Sequence, residues 1–206
     1  MTLDDFEDEN KITAVYLPEL SKSLKAYLDA SRVQIYDFVI RKRHPTYPIH
    51  DGGYYSHPQP AAMAHIDTTP SQTTRFVEMI NSDPSEILNG HRYQAVNIWK
   101  PLRGPVRDYP LTVCDPRTVH PQHDLQPRDT INVEMVRETY QIHQSDSHRW
   151  YYLSDQRADE AWVFLQSDSS DDGLIGVPHT AFKNPLSTDN DFLRESIEVR
   201  AIVIYD

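Results

Sequence analysis

The sequence predicts a mostly-β fold: a double-stranded β-helix, that is, a jelly roll or cupin-like barrel, with flanking N-terminal helices. Three observations predict it. From Arg92 onward the chain runs through short segments rich in β-branched and aromatic residues: RYQAVNIWKPL, LTVCD, INVEMV, ETYQIHQ, HRWYYLSD, EAWVFLQSD and SIEVRAIVIYD. Turn-forming clusters such as SDSSDDG divide them. Helical periodicity appears only twice, and early. Rolling many short strands into a closed jelly roll controls exposed strand edges. An immunoglobulin-type sandwich is the alternative, but it leaves the histidines and acids described below unexplained.

The elements follow in order. The acidic start, residues 1–12, reads as a tail. AVYLPELSKSLKAYLDASRV has an apolar stripe at Leu20, Leu24, Tyr27 and Leu28, which predicts an amphipathic helix. VQIYDFVIRKR reads as a strand. Residues 44–60, rich in Pro, Tyr, His and Gly, read as a loop. AAMAHIDTT is a short strand, and TPSQTTRFVEMINS a helix capped by Thr69 or Ser71. A Gly-Pro turn at Gly104 and Pro105 separates RYQAVNIWKPL from LTVCD. No repeat or linker divides the 206 residues, so a single domain over 1–206 is expected.

Composition narrows the function. Hydrophobic residues make up 38% and charged residues 25%, a globular balance. A net charge of −11 argues against a nucleic-acid surface, which needs a basic face. No apolar run approaches the roughly 20 residues that cross a bilayer, so no membrane partner is expected. The first residues are acidic where a signal peptide is basic and then apolar. The one cysteine, Cys114, forms no internal disulfide and reads as a buried small hydrophobe. A cytoplasmic location is the expectation. HExxH, paired CxxC, GxGxxG and GxSxG are all absent from the sequence.

Chemistry concentrates in AHIDTTP. His65 and Asp67 flank Ile66, so on a strand they point to the same side. His179, far downstream in GVPHTAF, is the candidate third ligand. Two histidines and one carboxylate make the facial triad that leaves cis positions of an octahedral Fe(II) open for a cosubstrate and O2. Past His179, RESIEVRAIVIYD offers Arg194 as a bidentate fork for a carboxylate, with Ser196 on the same strand face. This Arg-X-Ser is a 2-oxoglutarate anchor in many enzymes of that class. Period two also puts Glu198 and Arg200 on this face and Ile197, Val199, Ala201 and Val203 on the other. Arg200 is therefore a second candidate anchor, and a plain charged outer face over an apolar inner one is the structural alternative. HPQHD offers a rival metal cluster at His120, His123 and Asp124, in surroundings that read as an exposed loop.

HIDTT, YQAVNIWKPLRGPVRDYPLTVCD, HRWYYLSDQRADEAWVFLQSDS, PHTAFKNP and RESIEVRAIVIY occur in this order. Together they resemble the iron(II)/2-oxoglutarate oxygenase-like group of fungal and bacterial secondary metabolism. That group holds relatives of the cephamycin methoxylation protein, gibberellin desaturase and aspergillic acid hydroxylase. The resemblance runs from about Val15 to the C-terminus. It implies His65, Asp67 and His179 on Fe(II), and Arg194 with Ser196 on 2-oxoglutarate as cosubstrate. Asn97 and Trp99 match the group's N-X-W segment, which places Asn97 at the cofactor and Trp99 in either the pocket or the core. One of Tyr151 and Tyr152 is expected to reach the site. The implied reaction is hydroxylation, desaturation or oxidative cyclisation of a small secondary metabolite with O2. Members of the group usually carry residues ahead of this helix, so the resemblance implies either an open substrate side or a homo-oligomer that completes it. Two alternatives remain: a cupin-like metalloenzyme that does not use 2-oxoglutarate, and an inactive jelly-roll binding module.

Overall fold

The computed structural model describes residues 1–206 except 50, 51, 53, 132–134 and 171–174. Its architecture is two facing antiparallel sheets with helices on the outside. The first helix, α1 (Leu17–Tyr27), leads into strand β1 (Arg32–Lys42). A two-residue strand, β2 (His65–Ile66), precedes α2 (Pro70–Ile80) and the short α3 (Ser85–Gly90). The remaining strands are β3 (Arg92–Pro101), β4 (Leu111–Cys114), β5 (Leu125–Ile131), β6 (Val136–Ile142), β7 (Trp150–Tyr152), β8 (Trp162–Asp168), β9 (His179–Ala181) and β10 (Glu195–Tyr205). One sheet runs β1-β10-β3-β8 and the other β5-β6-β2-β9-β4-β7. This is the jelly roll that the strand pattern predicts.

The expected acidic tail instead forms a helical turn at Asp4–Glu7 and, past the extended Asp8, a helical run from Glu9 that leads into α1, and it packs onto the sheet. Its surface acids conceal two anchors, Phe6 and Ile12, which are buried with Leu24 against Val96, Ile98, Ile197, Val199, Ala201 and Val203. Burying each such side chain contributes about 1.5–3 kcal/mol. Tyr27 departs from the expected stripe: it is 77% exposed at the end of α1, while Leu24 is the buried residue. Thr69, not Ser71, caps α2 by accepting from the Gln72 N–H at 3.1 Å.

The apolar face of β10 is therefore the outer one, sealed by the N-terminal helices. Its charged face looks inward, between the sheets. Ser196, Glu198 and Arg200 are 1%, 6% and 9% exposed. Alternation in the sequence gives two faces of a strand but does not say which one faces the other sheet. The layer between the sheets is apolar at one end, where Ala95, Ile202 and Ile204 meet Phe76 and Val77 of α2. It is apolar again at the other end, around Trp99, Leu111, Val113 and Phe164. The polar residues fill the middle.

Two β-bulges shape that middle. In β1 the pairing with β10 shifts between Ile35 and Asp37. Tyr36 is the extra residue and stacks on Phe76 with ring centroids 4.6 Å apart. In β8 the pairing with β3 shifts so that Ala95 faces Ser167 and Val96 faces Leu165, leaving Gln166 as the extra residue. Strand β5 occupies residues expected to be loop or turn. As an edge strand it tolerates Pro127, which sits opposite Tyr140. INVEMV contributes the last residue of β5 and the first of β6; its residues 132–134 lie outside the described residues.

Candidate metal centre

His65 and His179 are direct cross-strand partners, brought together by the pairing of β2 with β9. Their rings lie 4.4 Å apart. Asp67 leaves β2 just past Ile66, and its backbone N–H donates to Gln166 Oε1 at 2.7 Å, so the bulge in β8 anchors the turn that carries the acid. His65 Nε2 stands 3.1 Å from Asp67 Oδ1, and His179 Nε2 stands 3.9 Å from Asp67 Oδ2. One ligand atom from each residue falls within 4.8 Å of the others, and this is the only such group of three among the described residues.

The ring orientations suit metal binding. His65 Nδ1 lies 2.7 Å from the Met63 carbonyl and His179 Nδ1 lies 3.2 Å from the Val177 carbonyl. Donation from each Nδ1–H turns both Nε2 atoms toward the centre. His179 Nε2 is buried and has no hydrogen-bond partner. A buried acceptor without a partner is costly, and a metal ion at this point satisfies it. Burial, helped by the neighbouring His65, lowers the His179 pKa to about 3, so the ring is neutral, the form that ligates. Burial also opposes charge on His65, but the bond to Asp67 and its charge outweigh that and raise the pKa.

Behind Asp67 stands a row of three cross-strand neighbours: Asp37, Arg200 and Asn97. Arg200 Nε donates to Asp67 Oδ2 at 2.9 Å, and Asn97 Nδ2 donates to the same oxygen at 2.7 Å. Arg200 Nη1 donates to Asp37 Oδ2 at 2.8 Å, and Arg137 shares that oxygen at 2.9 Å. Burial opposes the charge on Asp67, but Arg200 and then His65 hold its carboxyl well below the usual range. Burial also works against the charge of Arg200, but Asp67, Glu198 and Asp37 raise its pKa well above the ordinary value. Burial and the charge of Asp67 push Glu198 upward against Arg200. Sequence reasoning had no signal for Asp37 or Gln166, because each is aimed by a bulge.

Two cavities meet at this centre. A narrow slot reaches from His65 and His179 to Arg194, with Trp99, Leu111 and Glu198 in its walls. Arg194 is 3% exposed; its Nε donates to Ser196 Oγ at 3.2 Å and its Nη1 to the Tyr109 carbonyl at 2.9 Å. Tyr109 holds a left-handed φ of 45° to present that carbonyl. The guanidinium lies over the Trp99 ring at 4.9 Å, and among the described residues no carboxylate forms an ion pair with it. Burial and Arg41 bring its pKa down to about 9, still well above neutral, so it remains a cation. Asn97 is not a wall of this slot; it braces Asp67 and Glu198 instead, donating to Glu198 Oε1 at 2.8 Å. The second, wider cavity, of about 430 Å³, opens to solvent past His65, Asp67 and Arg200.

Other candidates lie elsewhere. Tyr151 and Tyr152 are 56% and 40% exposed on β7, at the edge of the sheet, so neither reaches the centre. In HPQHD, Asp124 is buried against His148 Nε2 at 3.0 Å and accepts from the His120 backbone, while the side chain of His123 faces solvent. That cluster is a structural tie between a turn and the segment before β7. Cys114 is 1% exposed, and burial raises its pKa, as expected of an inert thiol.

Residues 1–204 match a family model described as an oxidoreductase/YMDC permease-like domain. Among the described residues no helix is long and apolar enough to cross a membrane. The chain is 35% identical over 147 residues to the Fe(II)/2-oxoglutarate-dependent dioxygenase nvfI of Aspergillus novofumigatus, covering 70% of this chain and 52% of that protein. It is 31% identical over 212 residues to the alpha-ketoglutarate-dependent dioxygenase phiK of a fungal species, covering 98% of this chain and 74% of that one. The solved structure of the iron and alpha-ketoglutarate-dependent endoperoxidase NvfI superposes with a TM-score of 0.86 and 28% identity, over 100% of this chain and 76% of that one. The sequence match thus spans about half the length of the nvfI protein and three quarters of phiK.

Proposed function

The chain belongs to the family of fungal Fe(II)/2-oxoglutarate-dependent dioxygenases, and from that premise we propose that it is a non-haem oxygenase acting on a small secondary metabolite. His65, Asp67 and His179 hold Fe(II), and Arg194 with Ser196 holds the distal carboxylate of 2-oxoglutarate. One observation carries this reading: a buried guanidinium with no ion pair among the described residues and two inward-facing imidazole Nε2 atoms line one slot. That is the polarity of a dianion with a chelating end and a carboxylate tail. Iron with 2-oxoglutarate and O2 supplies the oxidising power to remove hydrogen from an unactivated C–H bond.

The protein's part is placement. Met63 and Val177 fix the histidine tautomers through their carbonyls. Arg200 and Asn97 keep Asp67 ionised and oriented. Trp99 and Leu111 keep the slot dry, which strengthens the hold of Arg194 on an anion. The wider cavity on the other side of His65 takes the substrate, and its position against the metal selects hydroxylation, desaturation or ring closure. The cytoplasm is the proposed location. Anaerobic titration with Fe(II) and 2-oxoglutarate tests the assignment through the visible charge-transfer absorption of the chelated keto acid. His179→Ala removes iron binding. Arg194→Ala keeps iron and weakens 2-oxoglutarate about 10–100-fold. Iron binding without the absorption, indifferent to Arg194→Ala, would favour a cupin-like metalloenzyme that does not use 2-oxoglutarate.

A further inference from the structure

The wider cavity carries more positive charge than its own acids answer. Four arginines line it: Arg41, Arg128, Arg137 and Arg200. Three have carboxylates. Arg137 and Arg200 share Asp37, Arg200 also holds Asp67, and Arg41 Nε lies 3.9 Å from Glu198 Oε2. Arg128 differs. It projects from edge strand β5, and its contact is a weak one, Nη1 to the Met63 sulfur at 3.4 Å. Among the described residues no carboxylate pairs with it. A thioether is a poor acceptor for a guanidinium, and a carboxylate that displaced it would form a charge-assisted bond.

Met63 also places Arg128 relative to the chemistry. Its carbonyl fixes the His65 ring while its sulfur touches Arg128, so a single residue separates the guanidinium from a metal ligand. Small and apolar groups, Ala62, Ala64, Tyr36 and Phe76, also line this cavity. From this geometry, and resting on the oxygenase reading above, we infer that the substrate is an organic acid whose carboxylate is held by Arg128 at the mouth while its apolar body lies toward the metal. Iron(II) and dianionic 2-oxoglutarate cancel each other's charge, so loading the site leaves the unanswered charge of Arg128 in place.

The test uses two matched dyes that need no iron: 1-anilinonaphthalene-8-sulfonate and its uncharged parent, N-phenyl-1-naphthylamine. Fluorescence titrations are run on wild type, Arg128→Gln and Arg128→Lys. Arg128 is exposed on an edge strand, and matching circular dichroism verifies that each variant is folded. The expected result is a loss of sulfonate-dye affinity of about two- to fivefold in Arg128→Gln. Arg128→Lys restores most of it, and the neutral dye binds all three proteins alike. Equal binding of both dyes to wild type, sulfonate affinity unchanged in Arg128→Gln, or parallel loss of both dyes would overturn the inference. The keto-acid absorption is recorded on the same proteins. Its absence beside a positive dye result refutes the oxygenase reading alone, and its presence beside a negative dye result refutes only the anionic substrate.

Discussion

Replacing Arg200 with glutamine separates two jobs that one strand face places side by side. In the structure Arg200 Nε and Nη1 donate to Asp67 and Asp37 at 2.9 and 2.8 Å, and Nη2 lies 3.3 Å from Glu198 Oε1. Removing one partner of a buried ion pair costs about 3–5 kcal/mol. Here Asp37 keeps Arg137 and is 25% exposed, and Asp67 keeps Asn97, so the lower end, about 3 kcal/mol, is expected. For a domain of this size that is a fall of about 6–12 °C in Tm. Loss of a ligand's orienting partner also weakens metal binding about 10–100-fold. Thermal unfolding of the metal-free protein and Fe(II) titration at fixed pH measure the two effects, with 2-oxoglutarate affinity at saturating iron as the third reading. That third quantity should change least. If Arg200→Gln kept its metal affinity and lost 2-oxoglutarate instead, Arg200 would be the anchor and the role given to Arg194 would be wrong.

Two further predictions concern the frame around the centre. A methyl group at Gly176 would lie 2.1 Å from the Gln166 carbonyl oxygen and 2.6 Å from Ile66 Cγ2. Gly176→Ala should therefore cost at least about 1–3 kcal/mol in urea unfolding and weaken Fe(II) binding as well, since Ile66 sits between two ligands; an unchanged midpoint would show that the bulge yields freely. Asp168, with no exposed side-chain surface, accepts from Arg92, Gln94 and the Ser170 N–H; burial opposes its charge, yet these partners hold its carboxyl below the usual range. A depressed folded pKa means that its stabilisation is present above about pH 4 and is lost as pH falls through the folded value. Asp168→Asn should cost about 1–3 kcal/mol at neutral pH and flatten the acid limb of the stability curve, whereas an acid limb as steep as wild type would place the sensitivity elsewhere.

Much of the framework was legible because β-branched alternation is a strong signal, and β3, β8 and β10 fall close to where the pattern puts them. The pairing of His65 with Asp67 was legible from same-face spacing, and His179 as their partner from residue chemistry and the family resemblance. The N-terminal segment was misread because Phe6 and Ile12 are sparse among acids, and only a sheet face built from distant strands gives them something to cover. Strand β5 was missed because proline and polar residues mask an edge strand whose outer face meets water. The inward turn of Glu198 and Arg200 depends on which sheet face the helices seal, a tertiary fact. Asp37 and Gln166 depend on bulges, which shift a side chain from one face to the other without altering the local composition. Arg128 resembled any surface arginine until the cavity beside it was seen.

The direct opposition of His65 and His179 makes the centre a proofreader of its own assembly. The two residues are remote along the chain, so their meeting belongs to the high-contact-order part of folding, where long loops close before any contact rewards them. A slip of one residue in either short strand turns an imidazole to the wrong side and leaves no chelate. Any ion that binds the finished triad consequently stabilises the one registry that can hold it. A bound metal would thereby reinforce the pairing of two strands only two and three residues long.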